Sequence, residues 1–454
     1  MKKLIAQSIT IAALLLLLFA NISCKKFLDE KPDKKLVIPS TLPDLQAILD
    51  NNIMYRNDPY AAEMSSDNYY LPAATWQTLE DFDRRMYTWE KDNIFSTTGN
   101  DWSNIYNKVY YANTVLENLE KIERTAGNKN EWDNIKGQAL MIRAKSFLNA
   151  VLVWSPAYDM ATSVTDMGIP LRLSADFTEP AFRPSVQQTY DRIISDFKES
   201  ITLLPPVSIH PSRASRAASY GLLARTFLSM RKYSLAGLYA DSSLQINSSL
   251  LNYNSLNTAQ TYPVPLFNTE MIYYASSFTV ALYISYAKVD TLLYSLFAVN
   301  DCRKTVFFKP NTDGSIAYRG SYDGSNTGNF AGIATDELYL MRAESYARDG
   351  NKNVALTDLN TLLQMRFKTG TFIPVTANSA EDALSKILLE RRKELIFRGL
   401  RWMDIKRLNR EAAGIIQKRI INNQTYILPP NDLRYALPIP EYVISISGMP
   451  QNPR

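Results

Sequence analysis

Residues 384–408 read LSKILLERRKELIFRGLRWMDIKRL, the most strongly patterned stretch of the chain and the one on which the fold turns. Leu384, Ile387, Leu388, Leu395 and Ile396 recur at helical spacing, and charged side chains fill the intervening face. Glu390 can pair with Lys393, and Glu394 with Arg398, one turn further on. Gly399 permits a left-handed stop, after which Arg401–Leu408 starts a second helix. Eight Lys/Arg stand against three Asp/Glu in this stretch. It reads either as a basic helix for nucleic acid or anionic lipid, or as a helical hairpin with an apolar face in the core.

The remainder of the chain favours the hairpin. The N-terminus carries Lys2 and Lys3, then the apolar run Ile11–Ala20, too short to span a bilayer comfortably, then Ser23 and Cys24. This order predicts a bacterial lipoprotein signal over residues 1–23, with lipidation at Cys24. The alternative is an ordinary secretory signal followed by an incidental cysteine. Without residues 1–23 the chain keeps 48 basic and 45 acidic side chains, a charge of +3, which does not resemble a nucleic-acid protein. Cys302 is then the one remaining thiol, and a solitary cysteine with no histidine nearby reads as a small buried hydrophobe.

Residues 25–43 are charged and proline-bearing, as a tether would be. Thr41 is placed to cap a short helix beginning at Leu42. Helical periodicity then runs over 102–123 (with Asp101 as its cap), 131–154, 187–204, 213–230, 235–246, 335–349 and 352–367. The helices repeat a motif. Ala224, Phe227, Ala236 and Ala240 recur at the same offsets as Ala343, Tyr346, Ala355 and Leu359. That is the small–aromatic, small–apolar spacing of a tetratricopeptide helix pair, in which small residues let two helices approach closely. Long insertions separate the pairs, so a tandem solenoid is excluded. Residues 57–100 and 250–332 lack helical periodicity and are rich in aromatics, and the second region is expected to hold short strands and turns. Residues 420–454 read as an extended, proline-bearing tail.

With these motifs in order, the chain resembles the SusD/RagB family of outer-membrane lipoproteins. The resemblance is carried by Cys24 with Phe27-Leu28-Asp29-Glu30, by Trp102, Tyr106, Tyr110 and Asn113, and by Arg143-Ala144 with Phe147. It continues through Thr189-Tyr190-Asp191, Ser215-Arg216-Ala217-Ala218 and Glu390-Arg391-Arg392-Lys393-Glu394 with Gly399-Leu400-Arg401-Trp402 and Asp404. It ends with Leu437-Pro438-Ile439-Pro440 and Gln451-Asn452-Pro453. Ser155-Pro156-Ala157-Tyr158 departs from the Tyr-Gly usual at that turn, and the chain lacks the usual terminal Gly-Tyr. The resemblance implies a mostly α, SusD-like fold with tetratricopeptide-like pairs near 101–154, 187–246, 335–367 and 381–410. A loop-rich region with short strands, near 57–100 and 250–332, would carry the ligand site. The expected organisation is a signal (1–23), a lipid-anchored tether (24–43) and one SusD-like domain (44–454). The resemblance further implies a cell-surface binding protein on the bacterial outer membrane, without catalytic activity. Its partner would be a SusC-like TonB-dependent transporter, and its ligand a glycan or, as in RagB-like members, a peptide.

The residues themselves point the same way. His210 is the only histidine, which leaves no multi-histidine metal site and makes a histidine-based triad improbable. No cofactor motif, metal site or catalytic set is expected. Carboxylate pairs such as Asp81 and Asp83 leave a glycosidase open, and a pure interaction scaffold is the third class. Asp313 and Asp323 lie in turn-forming sequence, where a calcium loop is the alternative to a plain turn. Sugar recognition needs flat aromatic faces together with a few polar groups. Asp67, Tyr69, Tyr70, Trp76, Arg84, Tyr87 and Trp89 supply both types and are the first ligand-binding candidates; Tyr273, Tyr274, Tyr318 and Tyr322 form a second set.

Overall fold

Ten helices of eight or more residues carry the fold in a computed structural model that describes residues 39–282, 285–325 and 328–454. The signal segment and Cys24 lie outside the described residues. The helices are α1 (Leu42–Leu49), α2 (Asp101–Leu119), α3 (Lys129–Trp154), α4 (Val186–Leu203), α5 (Arg216–Ser229), α6 (Tyr233–Leu244), α7 (Thr335–Arg348), α8 (Lys352–Gln364), α9 (Ala380–Glu394) and α10 (Arg401–Asn409). Their starts follow ordinary capping chemistry. Thr41 and Asp44 form a capping box on α1, as do Ser185 and Gln188 on α4. Asn100, not Asp101, caps α2, because the Asp101 carboxylate is engaged by the Ala61 amide at 2.9 Å.

Consecutive helices pack in sequence, α2 on α3, α3 on α4, α5 on α6, α6 on α7 and α7 on α8 and α9. The repeat motif does the work expected of it. Ala224, Ala236, Ala240, Ala343, Ala355 and Leu359 are all buried, and Phe227 stacks on Tyr239 with centroids 5.4 Å apart. At Gly237 a β-carbon would stand 2.2 Å from the Ser345 hydroxyl, so α6 and α7 meet at a distance that only glycine allows. The fold is therefore mostly α, with five two-stranded sheets among the described residues: β1 (Tyr69–Tyr70) with β4 (Lys288–Val289), β2 (Met271–Tyr273) with β8 (Ile333–Ala334), β3 (Ser276–Ser277) with β7 (Asn329–Phe330), β5 (Phe308–Pro310) with β6 (Ile316–Tyr318), and β9 (Gln417–Ile421) with β10 (Gln424–Leu428).

The stretch 384–408 forms a helical hairpin, and its charges are largely interior. Glu394 accepts from Arg303 at 2.8 Å and from Arg366 at 2.7 Å. Arg303 also grips Asp301 and Glu390, and Arg366 reaches Glu270 at 2.7 Å. Asp404 receives both Arg391 and Arg407 at 2.8 Å, and Arg407 holds Glu344. The Glu390–Lys393 pair forms at 2.7 Å. Glu394–Arg398 does not: α9 ends at Glu394, so Arg398 leaves the helical face and pairs instead with Asp336. The reversal uses Phe397 as well as Gly399, with φ of 58° and 70°. Lys406 meets no carboxylate among the described residues and donates to the carbonyls of Leu152 and Ser155 at the end of α3, where the helix dipole favours a cation.

Two regions differ from the sequence expectation. Residues 57–100 contain three short helices, at Ala61–Met64, Ala73–Gln77 and Asp81–Tyr87. Residues 417–428 form a hairpin of β9 (Gln417–Ile421) and β10 (Gln424–Leu428), closed by Asn422 and Asn423 at φ of 50° and 65°. Beyond it, Asn452 donates to the Trp154 and Leu437 carbonyls at 2.7 Å, which fixes the C-terminal segment to the body.

Candidate functional site

The first set of ligand candidates is mostly committed elsewhere. Tyr69, Tyr87 and Trp89 are buried around the Arg419 guanidinium, which lies 5.1, 4.1 and 5.2 Å from their ring centroids. Arg419 comes from β9, meets no carboxylate among the described residues, and donates to the carbonyls of Tyr69 and Ser66. Ring faces and carbonyls thus take the place of a counter-ion for a desolvated cation. The polar ends of the rings are also occupied: Tyr69 donates to the Met64 carbonyl at 2.8 Å, Trp89 to the Ser65 carbonyl at 3.0 Å, and Tyr87 accepts from the Leu71 amide at 2.9 Å. These three are core residues rather than a sugar platform.

Asp67 is held by Arg401 at 2.7 and 2.9 Å and by Arg392 at 3.2 Å. Burial would raise its pKa, but the two guanidiniums outweigh burial and keep it well below the usual carboxylate range. Trp76 is half-buried; its indole donates to the Arg84 carbonyl at 3.3 Å, and the Arg84 guanidinium lies over the ring while pairing with Asp81 at 3.0 Å. Tyr70 is exposed on β1 (Tyr69–Tyr70). In the second set, Tyr273 is buried beside Lys145, and Tyr322 is buried under Arg398 with its hydroxyl on Glu270. Tyr318 stacks on Phe397 at 4.6 Å. Tyr273 and Tyr322 offer no open ring face, and Phe397 covers one face of the half-buried Tyr318.

Tyr274 alone of the second set belongs to a cluster that reaches the surface. Its ring lies 5.6 Å from Tyr55 and 5.5 Å from Phe267, and Phe267 lies 4.6 Å edge-on to His210. Short backbone bonds bring these segments together: Ser276 donates to the Tyr55 carbonyl at 2.9 Å and Tyr274 to the Pro211 carbonyl at 2.8 Å. Tyr274 is the buried base of the cluster, whereas Phe267 is 41% exposed and His210 and Arg56 are exposed. Phe267 has φ of 56°, a left-handed conformation that costs a bulky residue on the order of 1 kcal/mol or more. A strained phenylalanine kept at the surface is not explained by core packing. The Tyr274 hydroxyl donates to Asp323; burial and this carboxylate raise its pKa to about 12, so it is a donor at any physiological pH.

Sequence reading passed over Tyr55, Phe267, His210 and Arg56 as site residues. The four cluster rings come from three segments far apart in the chain, and only the proline-bearing loops around His210 (HPS) and Phe267 (PVPLFN) hint at exposed turns.

Asp81 and Asp83, the carboxylate pair that left a glycosidase open, diverge. Asp81 faces solvent with Arg84, while Asp83 is buried under the Tyr60 hydroxyl at 3.3 Å. Asp313 and Asp323 each serve their own turn: Asp313 accepts from the amide of Ser315 at 2.9 Å, and Asp323 receives the hydroxyls of Tyr274 and Ser325.

Comparison with known proteins bears on the fold as a whole. A family model described as "Starch-binding associating with outer membrane" matches residues 26–228, and a second, described as "SusD family", matches residues 320–453. The "SusD-like protein P38" of Formosa agariphila is 23% identical, over 88% of this chain and 90% of its own length. A SusD superfamily protein from Bacteroides thetaiotaomicron superposes with a TM-score of 0.75 at 21% identity, covering 91% of this chain and 100% of its own. The surface glycan-binding protein A of Bacteroides uniformis superposes with a TM-score of 0.69 at 17% identity, covering 91% and 99%. With two SusD models matched in order, a SusD-like relative over nearly the whole length and the same fold in both solved structures, the chain belongs to the SusD family.

Proposed function

We propose that this protein is a non-enzymatic surface lipoprotein that adsorbs glycans and passes them to a SusC-like TonB-dependent transporter in the outer membrane. Lipidation at Cys24, a tether over residues 24–43 and a single SusD-like domain over residues 44–454 complete this reading. The observation that carries it is the surface ring cluster of Tyr55, Tyr274, Phe267 and His210, with the strained Phe267 at its edge. Ring faces suit the C–H face of a pyranose, and the polar groups around them suit its hydroxyls. No bond-breaking step is assigned. The glycan-binding description of family members supports the ligand class, and the outer-membrane association of the first family model supports the location.

The test is binding of the mature protein to a panel of polysaccharides and oligopeptides, by affinity electrophoresis and calorimetry, with reducing-sugar release followed in parallel. Binding of at least one polysaccharide without sugar release is the expected result. Binding of peptides alone, or release of sugar, would overturn it. The transporter arm is tested by native co-purification with a TonB-dependent protein from the outer membrane of the source cell.

A further inference from the structure

We propose that the aromatic face selects an acidic glycan, one bearing a carboxylate or a sulfate, and that Arg56 is the residue that holds its anionic group. The inference rests on the glycan-binding reading above and adds a ligand class to the same site.

Arg56 directly follows Tyr55 of the cluster and precedes Asn57, whose φ of 55° turns the chain so that the 55–58 segment lies along Ser276 and Ser277. Its side chain is exposed and makes no hydrogen bond or ion pair with any described residue. It nevertheless lies close enough to the Tyr274 phenol for its charge to act there. Arg213, from the neighbouring segment, is paired with Asp50 at 2.7 Å. Arg56 is left with its planar five-donor fork free beside a set of rings, and that fork matches a carboxylate or sulfate through two parallel hydrogen bonds.

The surrounding charges do not cancel it. Among the described residues, the carboxylate that touches the cluster, Asp323, is taken up by the hydroxyls of Tyr274 and Ser325. Beneath the same segment, Asp58 lies between two ammoniums, Lys108 at 2.5 Å and Lys145, and all three side chains are buried. One carboxylate against two lysines leaves a positive excess under the site below about pH 8, where the neighbouring buried Asp101 keeps its proton, in a region where water screens little. A neutral glycan would gain nothing from this field. An acidic one would be drawn in and oriented, with its sugar ring on Phe267 and its anion on Arg56.

The experiment uses the mature protein and a panel of acidic polysaccharides: polygalacturonate, alginate and glucuronoxylan for carboxylates, chondroitin sulfate and sulfated galactans for sulfates. Each is paired with its carboxyl-reduced or desulfated counterpart. The expected result is binding of at least one charged member, with affinity about tenfold or more weaker after neutralisation. Arg56→Gln is expected to erase that difference, and Arg56→Lys to restore part of it. Phe267→Ala should weaken charged and neutral members alike. The carboxylate and sulfate arms tell the two anions apart. Tight binding of neutral members alone, equal binding of a charged member and its neutral counterpart, or a preference that survives Arg56→Gln would overturn the inference and leave glycan binding standing. Failure to bind any glycan, charged or neutral, would overturn the glycan-binding reading itself, and this inference with it. Arg56 is exposed, so thermal melts of its variants should match the parent.

Discussion

The α9–α10 hairpin and the Tyr55–Phe267 face treat charge and strain in opposite ways. In the hairpin, Glu394 is shared by Arg303 and Arg366, Asp404 by Arg391 and Arg407, and these groups are buried. On the aromatic face Arg56 lacks a partner among the described residues and Phe267 sits strained at the surface. Buried charge is tolerated where it is paired or hydrogen-bonded, so the hairpin can be rich in ions and still serve as interior scaffold. A free guanidinium beside exposed rings is matched by nothing internal, which is what a surface awaiting a ligand requires. Charge density therefore separates these regions poorly, and charge satisfaction separates them well.

The strongest way to break this contrast is to unbalance the hairpin. Arg303→Ala would leave one oxygen of Glu394 without its guanidinium in the interior and leave Asp301 and Glu390 with Lys393 as their remaining cation. Removing one partner of a buried pair costs about 3–5 kcal/mol. We expect the denaturation midpoint in urea to fall sharply, with ligand affinity of the surviving folded fraction unchanged. A variant that kept its midpoint would show that the network is solvated and contributes little.

A pH titration probes the buried acids outside that network. Asp101 is pushed up to about 8 by burial, its bonds to the Ala61 and Tyr60 amides opposing only in part, and Asp83 is pushed up to about 6. A raised carboxyl pKa means that the folded state binds the proton more tightly than the unfolded chain. Its stabilising contribution is complete below the unfolded value near 4 and is lost as pH rises through the folded value. The stability advantage of the parent over Asp101→Asn should accordingly shrink from about pH 4 to pH 8. Comparing the two proteins cancels the lysines Lys145 and Lys406, whose depressed values act in the opposite sense above pH 7. An advantage that stayed flat over this range would place the Asp101 proton elsewhere.

On the aromatic face the order of effects reverses. Phe267→Gly relieves the left-handed backbone and deletes the exposed ring. Stability should hold or rise by on the order of 1 kcal/mol, since strain of that size is released. Glycan affinity should fall by about two- to tenfold, the scale of one aromatic contact of roughly 0.5–1.5 kcal/mol. A fall in stability with affinity intact would return Phe267 to the core.

The scaffold was legible in the sequence because its signals are local. Helical periodicity, the Ala224–Phe227 and Ala343–Tyr346 repeats and the Thr41 cap each lie within one or two turns. The β9–β10 hairpin was not, because its alternation is partly inverted: Gln417 and Arg419 point inward and Ile420 and Ile427 are exposed, although Ile421 and Leu428 are buried. That inversion also hid the fate of the first aromatic set. Nothing near Tyr69, Tyr87 or Trp89 announces that they will enclose an arginine more than 300 residues further along the chain. The surface cluster was hidden for the same reason, since its rings meet only after three distant segments fold together.

Arg392 sharpens the boundary between the two regions, because it lies in the hairpin yet touches Asp67, a residue first assigned to ligand binding. Its one bond to Asp67 is 3.2 Å long, and the side chains are 27% and 21% exposed. Arg401 already holds both oxygens of that carboxylate. An ion pair this open is worth about 1 kcal/mol at most, so Arg392→Ala should lower the urea midpoint only slightly. Arg401→Ala should lower it more, because Asp67 would keep only the weaker of its two partners. If the hairpin is scaffold throughout, neither change alters glycan affinity. A selective loss of affinity in Arg392→Ala, with its midpoint unchanged, would instead move the binding face to the open groove between α9 and Asp67.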